Sequence, residues 1–477
     1  MTVDGAQLAG PAVVNPTDLT PIGNAASLLD HGMSGLRAVA LDVASAGLRA
    51  ADPGVALDRM VLFHGDRLRV GGREFDLTAA RSVVVLGAGK ASVSIVEALE
   101  RKLGDRIDRG LVVRRSGAPG SLSRVEVLDA DHPIPSEASL AAGRRLAEAA
   151  AECGSGDLVI TAFTGGSSAL ACLPPDGVPF AAKQALHSLL LDSGASIAEV
   201  NIVRKHVSAL KGGRLAERMA GATLVNLTLS DVVGDAVDLL CDLVVQDTTD
   251  QYAAIAVLRR YGLWEAVAPE IRSHLESADA ASPSLDDLDI TTCVLVTGST
   301  VVEQMADRVR ELGRRPVILG SALEGDGASL GGFLGVLATG SCVSGRPFEP
   351  GDVLVGAGGE ATASIGRADG AVVGRGGPNQ EVALGFARAV AGGNVSVSGV
   401  FVDSDGSDGG TEAAGGCVDG TTLERATGCG VDVDAALMGH DAMAALDRVG
   451  DLVMTGPTGT NISDLIVVAI DGAGSAR

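Results

Sequence analysis

The feature that most constrains the fold is a regular alternation of short β-branched runs with longer stretches of helical pattern. Between about residues 25 and 264 this alternation predicts strands over 82–86, 111–114, 158–162 and 223–229, and helices over 91–102, 137–152, 181–192, 196–218 and 250–262. Strands separated by helices form βαβ units, which place parallel strands in one sheet and the helices on its faces. We therefore expect the first half of the chain to be an α/β domain.

A second alternating series begins after a polar segment at 277–289, which has the composition of a linker. It predicts strands over 292–298, 316–319, 352–356, 398–403 and 464–470, and helices over 300–312, 326–338 and 379–391. Because 477 residues exceed what a single core usually holds, the predicted organisation is a loose N-terminal arm (1–22), a larger α/β domain (23–276), the linker, and a smaller α/β domain (290–472). The predicted fold class is two Rossmann-like α/β domains with an active-site cleft between them.

The composition narrows the range of partners. The formal net charge is −23 and only 2% of the residues are aromatic, whereas a nucleic-acid-binding protein needs a basic surface and aromatic side chains that stack on bases. No apolar run approaches the roughly 20 residues of a membrane helix, and the N-terminus has no secretory signal pattern. The seven cysteines form no C-x-x-C pair and are expected to be reduced thiols. These features predict a cytoplasmic protein that binds neither nucleic acid nor membranes.

Glycines and small polar residues gather where the predicted strands end. Five such loops follow strands, at 87–92, 164–169, 230–235, 403–410 and 455–461. In open α/β sheets, ligands bind outside the carboxyl ends of the strands. The five loops therefore predict a shared ligand site, and ordinary turn chemistry is the alternative interpretation.

The first loop, GAGKAS, places Gly87, Gly89 and Lys90 between a strand and a helix. Such turns receive phosphate, because free backbone amides and the helix dipole point at the anion. The turn lacks the third glycine of the dinucleotide fingerprint, has no ribose-binding acid about 20 residues later, and does not match the Walker motif. It suits a phosphoryl group that is bound or transferred. A solvated lysine is the alternative, although the helix dipole disfavours a cation at this position.

The segment from Asn201 to Ala216 has no acidic residue, in contrast to the acidic chain around it. Within the predicted helix, Arg204 and Lys211 are seven positions apart and so share a face. This pattern suits an anionic substrate or a nucleotide phosphate, and a solvated helix face explains it equally well. We interpret His206 as a packed or capping histidine rather than a catalyst.

Carboxylates dominate two of the later loops. SDVVGD contains Asp231 and Asp235, and DSDGSDGG contains Asp405 and Asp408. Carboxylates at strand ends near a phosphate site can hold Mg²⁺ or accept the proton of an attacking hydroxyl. Asp235 and Asp408 are the predicted metal ligands, and an Asp-Gly-rich surface turn is the alternative. The last loop, TGPTGTN, offers hydroxyl and amide groups that could position a polar ligand, or it is a tight turn before the final strand.

Taken in order, eight segments resemble the glycerate 2-kinase family, whose members also carry hydroxypyruvate reductase names. They are GAGKAS (87–92), DHPIPSEAS (131–139), TGGSSAL (164–170), NIVRKHVSALKGGRLA (201–216), SDVVGD (230–235), GGPNQEVAL (376–384), DGSDGGTEAAG (405–415) and TGPTGTNISDL (455–465). The resemblance spans most of the chain. It implies transfer of the γ-phosphate of ATP to the C2 hydroxyl of D-glycerate, with ATP and Mg²⁺ as cofactors and a small anionic sugar acid as the substrate.

By the same resemblance, Lys90 matches the family's active-site lysine, Asp231 the aspartate of its Ser-Asp loop, and Asp405 the first aspartate of its Asp-Gly loop. Lys90 is expected on the phosphoryl oxygens; one aspartate would be the base and the other would serve the magnesium. The remaining predicted nucleotide, phosphate or substrate contacts come from the loops described above: Gly87, Gly89, Gly165, Gly166, Ser167, Ser168, Arg204, Lys211, Asn379, Glu381, Thr458 and Asn461. A homodimer is the default expectation for a metabolic enzyme.

Three ligand-facing loops depart from the family pattern. Pro378 stands where members often have arginine, with Arg375 three residues earlier; Ser167 replaces a glycine; and 239–249 replaces a Ser-Gly-Pro segment. These changes leave a related sugar acid open as the acceptor. The alternative activity is an NAD(P)H-dependent hydroxypyruvate reductase, which would need the glycine fingerprint and ribose-binding acid that the chain lacks. A non-enzymatic sugar-acid sensor is a further alternative, although no DNA-binding helix pair or basic arm supports it.

Overall fold

The computed structural model describes residues 19–191, 193–230, 243–363, 374–392 and 395–472. These residues form two compact units. The central unit comprises 52–297 and 459–462, and the C-terminal unit comprises the described residues up to 51, together with 298–458 and those from 463 onwards. The described cysteines are free thiols, as predicted, and all but Cys429 are buried.

The secondary-structure elements are numbered along the chain. The helices are α1 (Ala25–Leu29), α2 (Ser34–Ala50), α3 (Pro53–Met60), α4 (Ser92–Leu103), α5 (Glu137–Ala151), α6 (Ser167–Leu170), α7 (Phe180–Leu191), α8 (Ile197–His206), α9 (Arg214–Arg218), α10 (Gln251–Arg260), α11 (Pro269–Leu275), α12 (Gly298–Glu311), α13 (Gly327–Ser344), α14 (Pro378–Val390), α15 (Thr422–Gly428), α16 (Val433–Met438) and α17 (Ala442–Val449). The strands are β1 (Val61–His64), β2 (Arg67–Val70), β3 (Arg73–Asp76), β4 (Ser82–Ala88), β5 (Arg109–Arg115), β6 (Glu126–Ala130), β7 (Asp157–Phe163), β8 (Thr223–Leu229), β9 (Asp289–Val296), β10 (Arg315–Gly320), β11 (Gly325–Asp326), β12 (Asp352–Gly359), β13 (Ala361–Thr362), β14 (Ser396–Asp403), β15 (Gly415–Asp419), β16 (Leu452–Val453) and β17 (Asp464–Asp471). Short 3₁₀ turns lie at Gly104–Arg106, Ala278–Ala280 and Asp408–Gly410.

The central unit is built on a six-stranded sheet with the order β6-β5-β4-β7-β8-β9. All neighbouring pairs are parallel, and the sequential order 3-2-1-4-5-6 is that of the doubly wound Rossmann fold. Its inner strands are continuous apolar runs, as expected for a sheet buried on both faces; β7, for example, is buried along its whole length. The Rossmann-like prediction is confirmed for this unit, although β6 and the antiparallel meander β1-β2-β3 were not anticipated.

One predicted helix of the central unit is wrong. The pattern over 196–218 indicated a single helix, but the structure has α8, an irregular connection and then α9. Gly212 and Gly213 have φ values of +63° and +84°, a left-handed conformation that glycine adopts without a steric penalty and that a helix cannot continue through. Arg204 and Lys211 therefore do not share a helical face.

The C-terminal unit contains a six-stranded sheet with the order β10-β12-β17-β14-β15-β16. Only the β10–β12 pair is parallel; the other pairs are antiparallel. The α/β class holds here, but the parallel, Rossmann-like arrangement does not. β14 connects to β15 through residues 404–414 without a crossover helix, as is usual for antiparallel neighbours.

The division of the chain differs from the predicted boundaries at both ends of the central unit. Helix α2 lies in the C-terminal unit, where it packs against α12, β14 and β17. The fully buried guanidinium of Arg37 on α2 pairs with Asp419 and Asp451.

Strand β9, which was expected to open the second domain, instead pairs with β8. The segment predicted as a linker also belongs to the central unit, since Gln246 donates to the Pro283 carbonyl and accepts from the Leu285 amide.

Helix α13 has no charged residue over its 18 positions and is long and apolar enough to span a membrane by length and composition alone. The helix predicted over 326–338 is present and extends to Ser344. One side packs closely on α14, because Gly331 and Gly335 lie against the α14 backbone at Val382 and Phe386. Phe333, Val336 and Val343 are exposed on α13.

Replacing Arg37 by methionine tests the link between α2 and the C-terminal sheet. The substitution leaves buried Asp419 without its cation and removes one of the two arginines that pair with Asp451, which keeps Arg425. We therefore expect the free energy of unfolding to fall by about 3–5 kcal/mol. Urea unfolding followed by circular dichroism measures it. The control is Arg310→Met, which breaks an exposed ion pair with Asp307 and should leave the midpoint unchanged. Equal effects of the two substitutions would refute the assignment.

Candidate functional site

The site is built around the point where the strand order of the central sheet reverses. The chain leaves β4 toward β5 and β6 on one side and returns to β7 on the other. The turns that follow β4 and β7 therefore flank the crevice in which doubly wound sheets bind ligands. The amide of Lys90 donates to the Gly165 carbonyl at 2.9 Å, and the amide of Thr164 donates to the Ala88 carbonyl at 3.1 Å. Two of the five predicted loops are thus brought together.

The glycines of the first turn allow this close approach. Gly89 has a φ of +141°, and a Cβ atom there would collide with the side chain of Thr164. A Cβ atom on Gly87 would lie 2.7 Å from the Ala162 carbonyl oxygen. The hydroxyl of Thr164 accepts from the Ala91 amide at 3.1 Å. Both glycines are therefore required by the packing of the two turns, in addition to any contact with a ligand.

Lys90 and His132 both border Gly166. From the position of a Cβ atom on Gly166, the Lys90 Cγ and the His132 Cδ2 atoms are each 3.3 Å away. His132 was not among the predicted site residues. The only signal for it in the sequence was the DHPIPSEAS segment, which was quoted for the family resemblance and not for its chemistry.

The basic segment contributes buried rather than solvated side chains. Arg204 and Lys205 are buried, and Lys211 is fully buried, with its Nζ donating to the Ser168 carbonyl at 3.0 Å. Lys205 forms an ion pair with Asp247 at 2.6 Å, within the 239–249 segment that departs from the family pattern. The alternative of a solvated helix face is therefore wrong for these residues.

His206 has the packed role expected for it. Its Nδ1 donates to the Ala280 carbonyl at 2.8 Å, and its Nε2 lies 3.2 Å from the Thr249 hydroxyl. Burial lowers its pKa. These contacts join α8 to the 3₁₀ turn and make His206 a structural residue.

Helix α7 adds two basic side chains that sequence reasoning did not single out. Lys183 and His187 are fully buried, and the Nζ of Lys183 donates to the Val207 carbonyl. Burial, followed by the charges of Lys183, Arg204, Lys211 and His132, holds the pKa of His187 far below its usual range. The imidazole is therefore neutral at physiological pH and is surrounded by cations.

The C-terminal unit holds a separate cluster of acids and amides. Asp408 accepts from the amides of Asn379 (3.1 Å) and Gln380 (2.9 Å), the first free N–H groups of α14, and from the Asn379 side chain at 3.3 Å. The Asn379 side chain also donates to Asp464 at 2.6 Å. Burial raises the pKa of Asp408 and of Asp464 to about 7.

These contacts argue against a metal at Asp408. Both of its carboxylate oxygens accept hydrogen bonds from α14, and the side chain is almost inaccessible to solvent. Within the described ranges, no group of three or more His, Cys, Asp or Glu side chains is arranged to hold a metal ion. Asp231, which was predicted to be catalytic, and Asp235, the other predicted metal ligand, lie outside the described residues.

Glu381 is hydrogen-bonded to a histidine, and Arg375 is committed to an ion pair. Glu381 is buried, and its Oε1 lies 2.7 Å from the Nδ1 of His440. His440 has a φ of +52°, a left-handed conformation that costs energy in a residue other than glycine. Arg375, the nearest arginine to Pro378, pairs with Glu412 on the surface. Pro378 begins α14, where its fixed φ is favourable and no N–H is needed.

The remaining predicted residues fall in both units. Asp405 lies in the turn after β14, where its Oδ1 accepts from the Ser407 amide at 2.9 Å and its carbonyl accepts from the Thr458 amide at 3.3 Å. Thr458 belongs to the C-terminal unit, whereas Asn461 belongs to the central unit. Ser167 and Ser168 begin the short helix α6 and are buried. Ligand contacts for these residues, and the cleft between the domains, stay predictions.

Comparison with known proteins agrees with this architecture. Residues 39–276 match the family described as "Domain of unknown function (DUF4147)", and residues 353–464 match the MOFRL family. The chain is 35% identical over 441 residues to the glycerate 2-kinase of Pyrococcus horikoshii, covering 91% of this chain and 97% of that protein. A protein of Agrobacterium vitis with a provisional hydroxypyruvate reductase name is 36% identical, with 81% of this chain and 87% of that protein covered.

The crystal structure of a glycerate kinase from Thermotoga maritima is also similar, with a TM-score of 0.76, 31% identity, and coverage of 91% of this chain and 99% of that one. The fold and the matched families place the chain among two-domain α/β proteins with a DUF4147 region followed by a MOFRL region. The identity and the coverage show that it belongs to the glycerate 2-kinase family. The resemblance seen in the sequence is thereby confirmed.

The raised pKa of Asp464 predicts a pH-dependent stability. Its folded pKa of about 7 lies above the value of 3.8 for an ordinary aspartate, so the folded state binds the extra proton and loses stability as the pH rises through 7. Asp464→Asn should make the fall in unfolding free energy between pH 5 and 7 shallower by about 1 kcal/mol per pH unit. Urea unfolding at a series of pH values measures the slope. Asp307→Asn, at an exposed carboxylate, is the control, and a slope unchanged by Asp464→Asn would contradict the prediction.

Proposed function

We propose that this protein is a glycerate 2-kinase that transfers the γ-phosphoryl group of ATP to the C2 hydroxyl of D-glycerate. The observation that carries the proposal is the position of Lys90, in the glycine turn at the reversal point of the central sheet and beside the turn 164–168. Phosphoryl transfer is catalysed mainly by positioning and by cations that neutralise developing charge. The names of the family members support the same reaction.

In this proposal each part of the site has one task. Lys90 and the N-terminal end of α4 face the phosphoryl oxygens, where both supply positive potential. Arg204 and Lys211 supply charge for the anionic substrate. One of Asp231 and Asp405 accepts the proton of the C2 hydroxyl. Magnesium enters with the nucleotide as the MgATP substrate; we assign it no ligand at Asp408, because that carboxylate binds the first amides of α14.

The main competing function is an NAD(P)H-dependent hydroxypyruvate reductase, which the Rossmann strand order favours. Two features count against it. Ser92 stands at the third fingerprint position, buried beside the Thr164 hydroxyl. The strand that should end in a ribose-binding acid, β5, ends in arginines, and Arg114 pairs with Asp129. The cytoplasmic location and the homodimer stay predictions.

The two functions are separated by parallel assays of the purified protein. One mixture contains D-glycerate, magnesium and ATP, and the other contains hydroxypyruvate and NADH. We expect glycerate-dependent release of ADP with 2-phosphoglycerate as the product, identified by NMR. NADH oxidation without ADP release would overturn the kinase proposal. Turnover of another sugar acid but not of glycerate would show that the acceptor has changed, as the departure at Pro378 allows.

Lys90→Met tests the lysine directly. Loss of the cation at the phosphoryl group should lower kcat by about 10²–10³-fold or more, without changing the thermal midpoint. The control is Lys102→Met at the far end of α4, where the lysine pairs with Asp58; its kcat should equal that of the wild type. If Lys90→Met retained full turnover, Lys90 would have no catalytic role.

A further inference from the structure

The buried face of α7 carries two basic residues where an ordinary core helix would carry apolar ones. Its buried residues are Lys183, Leu186, His187 and Leu190, spaced three and four apart along one face. Burial of a lysine and a histidine in this way is rare unless other groups compensate for the lost hydration. The arrangement therefore requires a reason beyond packing.

His187 gives the clearest indication of that reason. The side chain is fully buried, and neither of its ring nitrogens has a hydrogen-bond partner among the described residues. A buried polar group without a partner costs about 1–3 kcal/mol. Such groups are uncommon in native structures and indicate a ligand or water that completes the site.

The surroundings of His187 identify the charge of that ligand. Lys183 lies one turn before His187 on the same buried face of α7, and its Nζ donates to the carbonyl of Val207, three residues after Arg204. The charges of Lys183, Arg204 and Lys211 all lower the pKa of His187. Lys211 in turn contacts the carbonyl of Ser168, two residues after Gly166, where Lys90 and His132 lie. Three buried cations around one neutral imidazole favour an anion.

We propose that His187, with Lys183, Arg204 and Lys211, forms the pocket that binds the carboxylate of the acceptor acid, and that His187 donates a ring N–H to a carboxylate oxygen. This inference rests on the proposed function, which supplies the acid. The pocket restricts the substrates to small 2-hydroxy acids, because binding requires the carboxylate. His187 and Lys183 become specificity-determining residues.

Burial and spacing favour the carboxylate over the phosphates of the nucleotide. The four side chains are more than nine-tenths buried, and a single carboxylate loses less hydration in such surroundings than a triphosphate does. Ser168 and Gly166 are no more than about 7 Å apart along the chain. In a 2-hydroxy acid the carboxylate is one bond from the carbon that bears the reacting hydroxyl. A carboxylate held near Ser168 would therefore leave the hydroxyl on the side of Lys90.

Binding without turnover tests the pocket. Isothermal titration of D-glycerate, of glycerol (which lacks the carboxylate) and of MgATP is compared between the wild type and His187→Leu. We expect the Kd for D-glycerate to rise at least tenfold in His187→Leu, with the Kd for MgATP unchanged and no binding of glycerol in either protein. Lys183→Met should weaken D-glycerate binding in the same way. His187→Gln keeps a donor and should retain most of the affinity.

A matched control and a spectroscopic readout separate binding from a structural role. His274→Leu removes a half-buried histidine of the same unit that is bonded to the His206 carbonyl, and should leave the Kd for D-glycerate unchanged. The ¹⁵N imidazole signals of His187, assigned by their loss in His187→Gln, should shift when D-glycerate is added to the wild type. An unshifted signal, an unchanged Kd in His187→Leu, or an equal loss of MgATP affinity would overturn the pocket.

The outcomes distinguish this inference from the proposed function. A wild type that phosphorylates D-glycerate with the same KM as His187→Leu refutes the pocket and leaves the kinase intact. A wild type that binds D-glycerate in a His187-dependent manner but transfers no phosphate refutes the kinase and leaves the pocket intact. Loss of D-glycerate affinity and a raised KM in folded His187→Leu, judged by an unchanged thermal midpoint, support both.

Discussion

The parallel pairing of β4 with β7 is the interaction on which the candidate site depends. The two strands are in register from Ser82 opposite Asp157 to Ala88 opposite Phe163. Their hydrogen bonding continues past the strand ends, through the Thr164 amide to Ala88 and the Lys90 amide to Gly165. The two turns therefore form one continuous backbone surface, which positions the lysine. A change of register by one residue would move every side chain of the strand to the opposite face of the sheet.

Close packing at this position explains the glycines more fully than phosphate binding alone. Gly89 adopts a positive φ directly against Thr164, and Gly87 lies against the Ala162 carbonyl. A phosphate-binding turn and a tightly packed strand end both require glycine, but for different reasons. The turn can therefore depart from the dinucleotide fingerprint at Ser92 while keeping both of the glycines that the β4–β7 contact needs.

The protein is acidic overall, but basic side chains are buried in the central unit and a cluster of acidic side chains is buried in the C-terminal unit. Within the central unit, basic side chains are buried around His187 and the 164–168 turn. Within the C-terminal unit, Asp408 and Asp464 are buried around Asn379, where burial raises the pKa of each carboxyl. In both clusters the loss of hydration is the largest influence on protonation. At Asp408 and Asp464, hydrogen bonds from backbone and amide groups only partly offset it. The formal net charge of −23 therefore gives no indication of the basic side chains that are buried in the central unit.

The sequence by itself determined the α/β class, most strand and helix positions, the Lys90 turn and the family, because hydrophobic periodicity, turn residues and ordered motifs are local properties of the chain. It could not determine the antiparallel pairings in the C-terminal sheet, the transfer of α2 and β9 across the expected domain boundaries, or the end of α8 at His206. Nor could it find Lys183, His187 and His132, or show that Asp408 binds the first amides of α14. These features depend on which distant segments pair and on which polar groups lose water. The pairing of strands and the loss of hydration by buried polar groups are properties of the assembled fold, and only the tertiary structure decides them.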